Sequence, residues 1–271
     1  MKVTLLRLDG LDTAMLGASV CVTVGMPTEP EPGGLVNALK SGHDSLLEHV
    51  TLSFAIEGIS RVCLAQLCRH RHISLSVQSQ RYIVSSGNPA VVPRSIEEAV
   101  DDSNALFAMK RLDTAIDRAI EALREVGVPD EDIRYIYPQG ITTNLILTTN
   151  FREFSHMCGL RRCRRAQDEI HELFDAMAQA VDDRLVEEFP MDMLDPLYYQ
   201  LYVRMQPQCR QIGYCPEVRS CGARPSLEKL MEGYAANLFQ NGTGSENTSE
   251  SKVNESQNMS DCLCREESEK R

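Results

Sequence analysis

The chain contains no tryptophan, only 6% aromatic residues, no Cys-x-x-Cys pair and no excess of positive charge. The missing tryptophan carries no functional meaning, but the other shortages do. No apolar run approaches the roughly 20 residues that a membrane-crossing helix needs. The opening Met1-Lys2-Val3-Thr4-Leu5-Leu6-Arg7 is too short and interrupted for a signal peptide, so a cytoplasmic protein without membrane contact is expected. Lys and Arg number 28 against 39 Asp and Glu, a formal net charge of -11. Long-range repulsion then works against non-specific attachment to nucleic acid or anionic membranes, without forbidding a local phosphate pocket.

Of the ten cysteines, Cys21, Cys63, Cys68, Cys158 and Cys163 fall in apolar or mixed segments, which favours reduced, mostly core thiols. Cys209, Cys215 and Cys221 recur at intervals of six residues and could form part of a zinc site. No fourth ligand is evident, so a packed loop is the better reading and no metal is expected.

At 271 residues with 42% hydrophobic content, the chain can bury a proper core as one large or two small domains. Period-two alternation predicts strands over Lys2–Leu8 and Val50–Glu57, the second ended by Gly58, and β-branched residues predict a third over Ile141–Thr149. Short helices are expected over Leu35–Lys40, after the capping residue Ser60, and at Pro129; Asn150 caps another. The box Ser95-Ile96-Glu97-Glu98 opens a long amphipathic helix that Gly127 closes, and an acidic helix spans Gln167–Glu188. Ala18–Val24 is apolar and β-branched, and its type is left open; Pro27–Gly34 and Gly87–Pro93 break the pattern. From about Gln240 large apolar residues almost vanish, so 240–271 is expected to be a disordered polar tail and 1–239 the folded, functional part.

Against the acidic background, Arg69-His70-Arg71-His72-Ile73-Ser74-Leu75-Ser76-Val77-Gln78-Ser79-Gln80-Arg81-Tyr82 reverses the sign of charge. Guanidinium forks, hydroxyls and backbone N–H groups suit a phosphate and a planar carbonyl or imide, so a phosphorylated planar ligand is one reading. A solvated basic loop or a nucleic-acid patch is the other, and basic groups ending a helix also complement its dipole. The run Arg161-Arg162-Cys163-Arg164-Arg165 could likewise touch RNA, although the helix that follows is distinctly acidic.

The order of residues is more specific than their charge. Arg69-His70-Arg71, seven intervening residues, then Ser79, Arg81 and Tyr82 resembles the signature of flavin-dependent thymidylate synthases. A second element, Gly42-His43, Ser45 and Glu48-His49, resembles that family's Gly-His-Glu-Ser/Thr and Glu-His pattern, with Asp44 in place of the usual Glu. A third comprises Arg134 before Pro138, Asn150 and Arg152 after the strand, Leu160-Arg161, and Gln167 with Glu169-Ile170. Three positions depart: Val77 replaces a usual Glu or Gln, His156 a more usual Asn, and Ala18-Ser19-Val20-Cys21-Val22 matches its segment only faintly.

The resemblance implies an α/β (α+β) subunit with a mixed sheet and long helices, assembled as a homotetramer with active sites shared between subunits. It implies methylation of dUMP to dTMP, with 5,10-methylenetetrahydrofolate as carbon donor, FAD as redox cofactor and NADPH as reductant. By the same resemblance, Gln66, Arg69, Ser79, Gln80, Arg81 and Arg134 would bind dUMP, and Arg161 would stabilise negative charge on the uracil. Ser45, Arg69, His70, Arg71, Asn150, Arg152 and His156 would line the flavin site. Ser79 would position substrate, since no enzyme nucleophile is needed and no adjacent base is evident for it. The alternative is a non-catalytic nucleotide or nucleic-acid binding protein that keeps the arginine pocket.

Overall fold

The computed structural model describes residues 1–82, 90–99, 103–188 and 195–241. The tail expected over 240–271 lies outside them from residue 242 on, as do Ile83, Val84, Gly87, Asp101 and Asp102. Met1–Leu227 forms one compact unit and Glu228–Arg271 a second, whose described part belongs to a helix, Leu227–Asn241.

Four strands, β1 (Lys2–Asp9), β2 (Thr51–Ser60), β3 (Ile73–Val77) and β4 (Thr142–Asn150), form one sheet in the order β1-β2-β4-β3. All three pairings are antiparallel, which corrects the mixed sheet implied by the resemblance and makes the subunit α+β. Antiparallel pairing lets one face pack while the other stays open, and the alternation of β2 and β4 matches that arrangement. Leu52, Phe54 and Ile56 of β2 and Leu145 and Leu147 of β4 are buried. Between them, Ser53 and Thr148 join their hydroxyls across the open face at 2.9 Å, and Ile146 is 39% exposed there.

Ten helices are described within the first unit. These are α1 (Leu11–Val20), α2 (Pro32–Lys40), α3 (Arg61–Leu67), α4 (Arg94–Ala99), α5 (Ser103–Glu125), α6 (Asp130–Ile133), α7 (Phe151–Arg161), α8 (Asp168–Glu188), α9 (Pro196–Arg204) and α10 (Gln208–Ile212). Helices α7 and α8 supply Phe154 and Phe174 to the core; Phe54 and Phe154 stand 5.5 Å apart, Phe154 and Phe174 6.5 Å. Each such fully buried side chain contributes roughly 1.5–3 kcal/mol.

The local departures have local causes. Helix α1 starts well before the apolar stretch at Ala18 because Gly10, at φ 95°, turns the chain directly out of β1. Helix α2 starts at Pro32, inside the stretch expected to be broken, because proline suits a first helical position. Gly58, at φ 74°, makes a bulge that β2 survives, and its N–H donates to Asn144 Oδ1 at 3.0 Å. Strand β3 lies in the spacer of the basic motif, where no strand was expected. The long helix expected from Ser95 is described as α4 and α5, and residues 100–102 between them are outside the described residues.

Ser60 caps α3 as expected, accepting from Cys63 N–H at 3.0 Å. It is itself held by Glu169 of α8: the Ser60 N–H donates to Oε1 at 2.6 Å and its hydroxyl to Oε2 at 2.5 Å. One carboxylate thereby fixes the place where β2 becomes α3.

A β-carbon on Gly10 would lie 2.2 Å from the His49 carbonyl oxygen, whereas one on Gly25, at φ 93°, would meet nothing within 4 Å. Gly10→Ala is expected to destabilise the protein by about 2–4 kcal/mol, combining positive-φ strain with overpacking. Gly25→Ala should cost only the strain, about 1–2 kcal/mol. Thermal unfolding of both variants checks this; equal losses would refute the close approach.

Candidate active site

The residues singled out by sequence fall into two clusters at the two ends of α3 and a third group at the start of α7. The first cluster centres on Arg161, in the last turn of α7. Its Nε donates to His70 Nε2 at 3.0 Å and its Nη2 to the Gln66 carbonyl at 3.2 Å. The Gln66 side chain in turn donates to Gln167 Oε1.

His70 is 8% exposed, with His156 and Phe174 packed around its ring at centroid distances of 6.4 and 6.2 Å. Its pKa is pushed down to about 4, first by burial, then by the charges of Arg161 and His156. The ring is therefore neutral at pH 7. Because Nε2 accepts from Arg161, the ring proton sits on Nδ1, which faces Glu153 Oε1 at 3.7 Å. Arg161 is thus held by two contacts along one edge, the His70 imidazole backed by the Glu153 carboxylate, and the Gln66 carbonyl. Burial also lowers the pKa of Arg161, although a guanidinium stays charged at any working pH.

The second cluster gathers Arg81 and Arg134 around Glu131. Arg81 Nε donates to Glu131 Oε2 at 2.9 Å and Arg134 Nε to the Glu131 carbonyl at 2.8 Å. Arg61, the first residue of α3, lies near enough to Arg134 for that charge, after burial, to lower its own pKa. Arg61 Nη2 donates to the Gln78 carbonyl at 3.0 Å, but its buried Nε has no hydrogen-bond partner among the described residues. Ser79 accepts from the Arg81 N–H at 3.2 Å, and Gln80 is half-buried beside it. The seven residues of α3 separate the two clusters by about 10 Å.

The third group stands at the other end of β3. Asn150 caps α7 by accepting from the Glu153 N–H at 2.8 Å. Arg152 pairs with Glu48, in the 3-10 turn Asp44–His49 that also carries Ser45. Ser45, Arg69 and Arg71 are exposed, and His156 lies on the exposed side of α7. Ser79 to Arg81 and Arg71 are kept apart by the whole of β3, whose five residues extend roughly 17 Å. Asp44, the departure from the family's Glu, is held by Arg204 through Nε at 3.0 Å and Nη2 at 2.6 Å.

Sequence reasoning missed Glu153, Arg61 and Glu131. Glu153 carries a signal that points elsewhere: Asn150 followed three residues later by Glu reads as a capping box, yet its carboxylate turns to His70. A cavity of about 540 Å³ between α5 and the Tyr137–Ile141 segment is lined by Gln167 and Glu169 but by none of the expected ligand-binding residues, and its lining is mainly apolar. No described helix is long and apolar enough to cross a membrane.

A family model described as "Thymidylate synthase complementing protein" matches residues 20–185. The flavin-dependent thymidylate synthase of Thermococcus kodakarensis is 41% identical over 187 residues, covering 68% of this chain and 71% of that protein. The enzyme of Nitratidesulfovibrio vulgaris is 34% identical over 210 residues, covering 74% and 80% respectively. The crystal structure of flavin dependent thymidylate synthase ThyX from Helicobacter pylori, complexed with FAD and dUMP, is similar with a TM-score of 0.54 and 26% identity, covering 70% of this chain and 98% of that one. The chain belongs to the flavin-dependent thymidylate synthase family, and that is its activity.

The buried neutral imidazole has a consequence for stability. In the unfolded chain a histidine titrates near pH 6.5, so between about 6.5 and 4 the unfolded state holds a proton that folded His70 refuses. Stability is therefore lost as pH falls through that window. Urea unfolding at pH 7 and pH 5 should show a smaller drop in His70→Gln than in the parent, by at most about 2 kcal/mol. Equal drops would show that His70 is not held neutral.

Proposed function

We propose that this enzyme methylates dUMP to dTMP in the cytoplasm, taking the carbon from 5,10-methylenetetrahydrofolate and using FAD with NADPH as reductant. The observation that carries the assignment is the fixed Arg161, held by the lone pair of a neutral His70 and by the Gln66 carbonyl. Both contacts spend donors on one side of the guanidinium and leave Nη1 and its edge for a planar acceptor. A uracil ionised at N3, its proton released to water, spreads negative charge along N3, O2 and O4 and becomes a stronger nucleophile at C5. A pre-oriented guanidinium stabilises that charge without reorganising. Arg81 and Arg134, with Arg61 beside them and Ser79 and Gln80 adjoining, suit the phosphate dianion; Arg69 serves at the border of the two ligands.

The cysteines fit a route without an enzyme thiolate. Cys63 is pushed up to about 12, chiefly by burial, and Cys158 is raised as well by complete burial. Both stay protonated at neutral pH and are shielded from solvent, so neither serves as a nucleophile.

The donor set at the other end of β3 fits a flavin dinucleotide. Its diphosphate calls for cations, and exposed Arg71 and Arg152 stand there beside the start of α7, whose Phe151 and Glu153 N–H groups are already taken by the Val50 carbonyl and the Asn150 side chain. His70 and His156 offer rings for the flavin, and Ser45 and Asn150 offer small polar contacts. When bound, FAD supplies the hydride that completes the methyl group. Arg152 already pairs with Glu48, so diphosphate binding exchanges one anion for another.

The separation of these groups along β3 supports a homotetramer in which copies of the chain complete one another's sites. Analytical ultracentrifugation should find four chains per particle.

The deciding experiment measures tritium release from 5-tritiated dUMP with folate and NADPH. Arg161→Lys keeps the charge but loses the paired contacts to His70 and Gln66, and kcat should fall by about 100- to 1,000-fold with flavin still bound. Arg134→Ala should act mainly through KM for dUMP. Undiminished release by Arg161→Lys would overturn the assignment of Arg161.

A further inference from the structure

Sequence spacing offers Cys209, Cys215 and Cys221 without a fourth ligand. The fold supplies one. Cys163, on the turn just after α7, lines the same small pocket as those three cysteines, more than 40 residues further along the chain. The pocket has a volume of about 30 Å³, room for one water-sized body and not for an organic ligand.

Several features point to a cation there. All four thiols are free, and they come from separate segments: the turn after α7, the first turn of α10, and two positions in the loop beyond it. The loop that carries Cys215 and Cys221 is shaped to return to α7. Gly213 and Gly222, both at φ 84°, bend it, and the Cys215 N–H donates to the Pro225 carbonyl at 2.8 Å. Cys63 and Cys158 are completely buried among apolar side chains, whereas of the four pocket cysteines only Cys215 is buried, at 7% exposure, Cys163 and Cys209 are half-buried and Cys221 is exposed. Arg165, Arg224 and one carboxylate, that of Glu217, line the pocket too. A divalent ion bound by four thiolates carries a net charge of about −2, which those guanidinium groups offset.

We propose that Cys163, Cys209, Cys215 and Cys221 bind one Zn(II) as a structural tetrathiolate that clasps the end of α7 to the segment following α10. Among the described residues no three metal-capable side chains already stand at ligating distance from one point. The site therefore closes on the metal: Zn–S bonds of about 2.3 Å draw the sulfurs inward, with exposed Cys221 supplied by the flexible bend at Gly222. Four thiols release four protons as the ion binds, so affinity falls as pH falls. Zinc, which has no redox chemistry, is favoured over the other tetrahedral tetrathiolate option, iron, because nothing around the pocket calls for electron transfer.

The test uses the full chain purified with its flavin, under reductant and without added metal. Elemental analysis by mass spectrometry should give close to one zinc per chain. Cys163→Ser, Cys209→Ser, Cys215→Ser and Cys221→Ser should each lose most of it, whereas Cys68→Ser and the pair Cys262→Ser/Cys264→Ser should keep it. Where a ligand variant fails to fold, the parent protein answers instead. Titration with a mercurial in the presence of a zinc-sensing dye should release one zinc as four thiols react. Exchange of Co(II) into the parent should give tetrahedral thiolate bands beyond the flavin absorption. Protein that carries no metal and gives no cobalt spectrum overturns the proposal, as do stoichiometric iron, disulfides among these cysteines in reduced protein, and zinc retained by all four single variants.

Discussion

The arrangement of both arginine clusters depends on one carboxylate. Glu169 accepts the N–H and the hydroxyl of Ser60 at the point where β2 becomes α3, and Ser60 is 2% exposed. Charge-assisted hydrogen bonds in such a setting are stronger than neutral ones, and the buried Ser60 hydroxyl deprived of its acceptor would be costly. The bond sets where α3 starts, so it sets the place of Arg61 at the first helical position and of Gln66 in the last turn. Through Arg61 it reaches the Gln78 carbonyl and the phosphate-directed arginines; through Gln66 it reaches Arg161. Glu169 sits on α8, which packs beneath the sheet, so the site is referenced to the core and not to a surface loop.

Much of this was legible before the structure. The alternation of β1 and β2 was readable because each has one packed face, β4 announced itself by its β-branched residues, and Ser60 and Asn150 cap the helices whose starts they mark. Strand β3 was hidden because it has only five residues and is bounded by Arg71-His72 and Gln78-Ser79 instead of by glycine or proline. The bulge at Gly58 looks like an ending in sequence, since glycine ends strands as readily as it kinks them. The arginines and His70 could be named from their order, but not their partners: Glu131 meets Arg81, Glu48 meets Arg152 and Glu153 meets His70 only through tertiary contacts. Cys163 likewise sits in a basic run, with nothing local to tie it to the cysteines beyond α10.

The departures from the family pattern find physical settings. Val77 closes β3, half-buried against the core, where a hydrocarbon contributes packing that a Glu or Gln there would give up. Asp44 is gripped by Arg204, which also donates to the Leu39 carbonyl at 2.7 Å and so ties α9 to the end of α2. The shorter acid is thus committed to holding helices together. His156 stands edge-on to His70 and adds to the charge environment that keeps that ring neutral.

Strand β3 lies at the margin of the sheet, paired only with β4, and its sequence Ile-Ser-Leu-Ser-Val carries no charge of its own. Uncharged β-branched edges of this kind invite another chain to add on and aggregate. Arg69 and Arg71 stand before it and Arg81 after it, in the positions where gatekeeper charges suppress such stacking. The same guanidinium groups that are directed at nucleotides therefore also serve solubility, and neutralising several at once exposes the chain to fibril-like self-association, whatever happens to turnover.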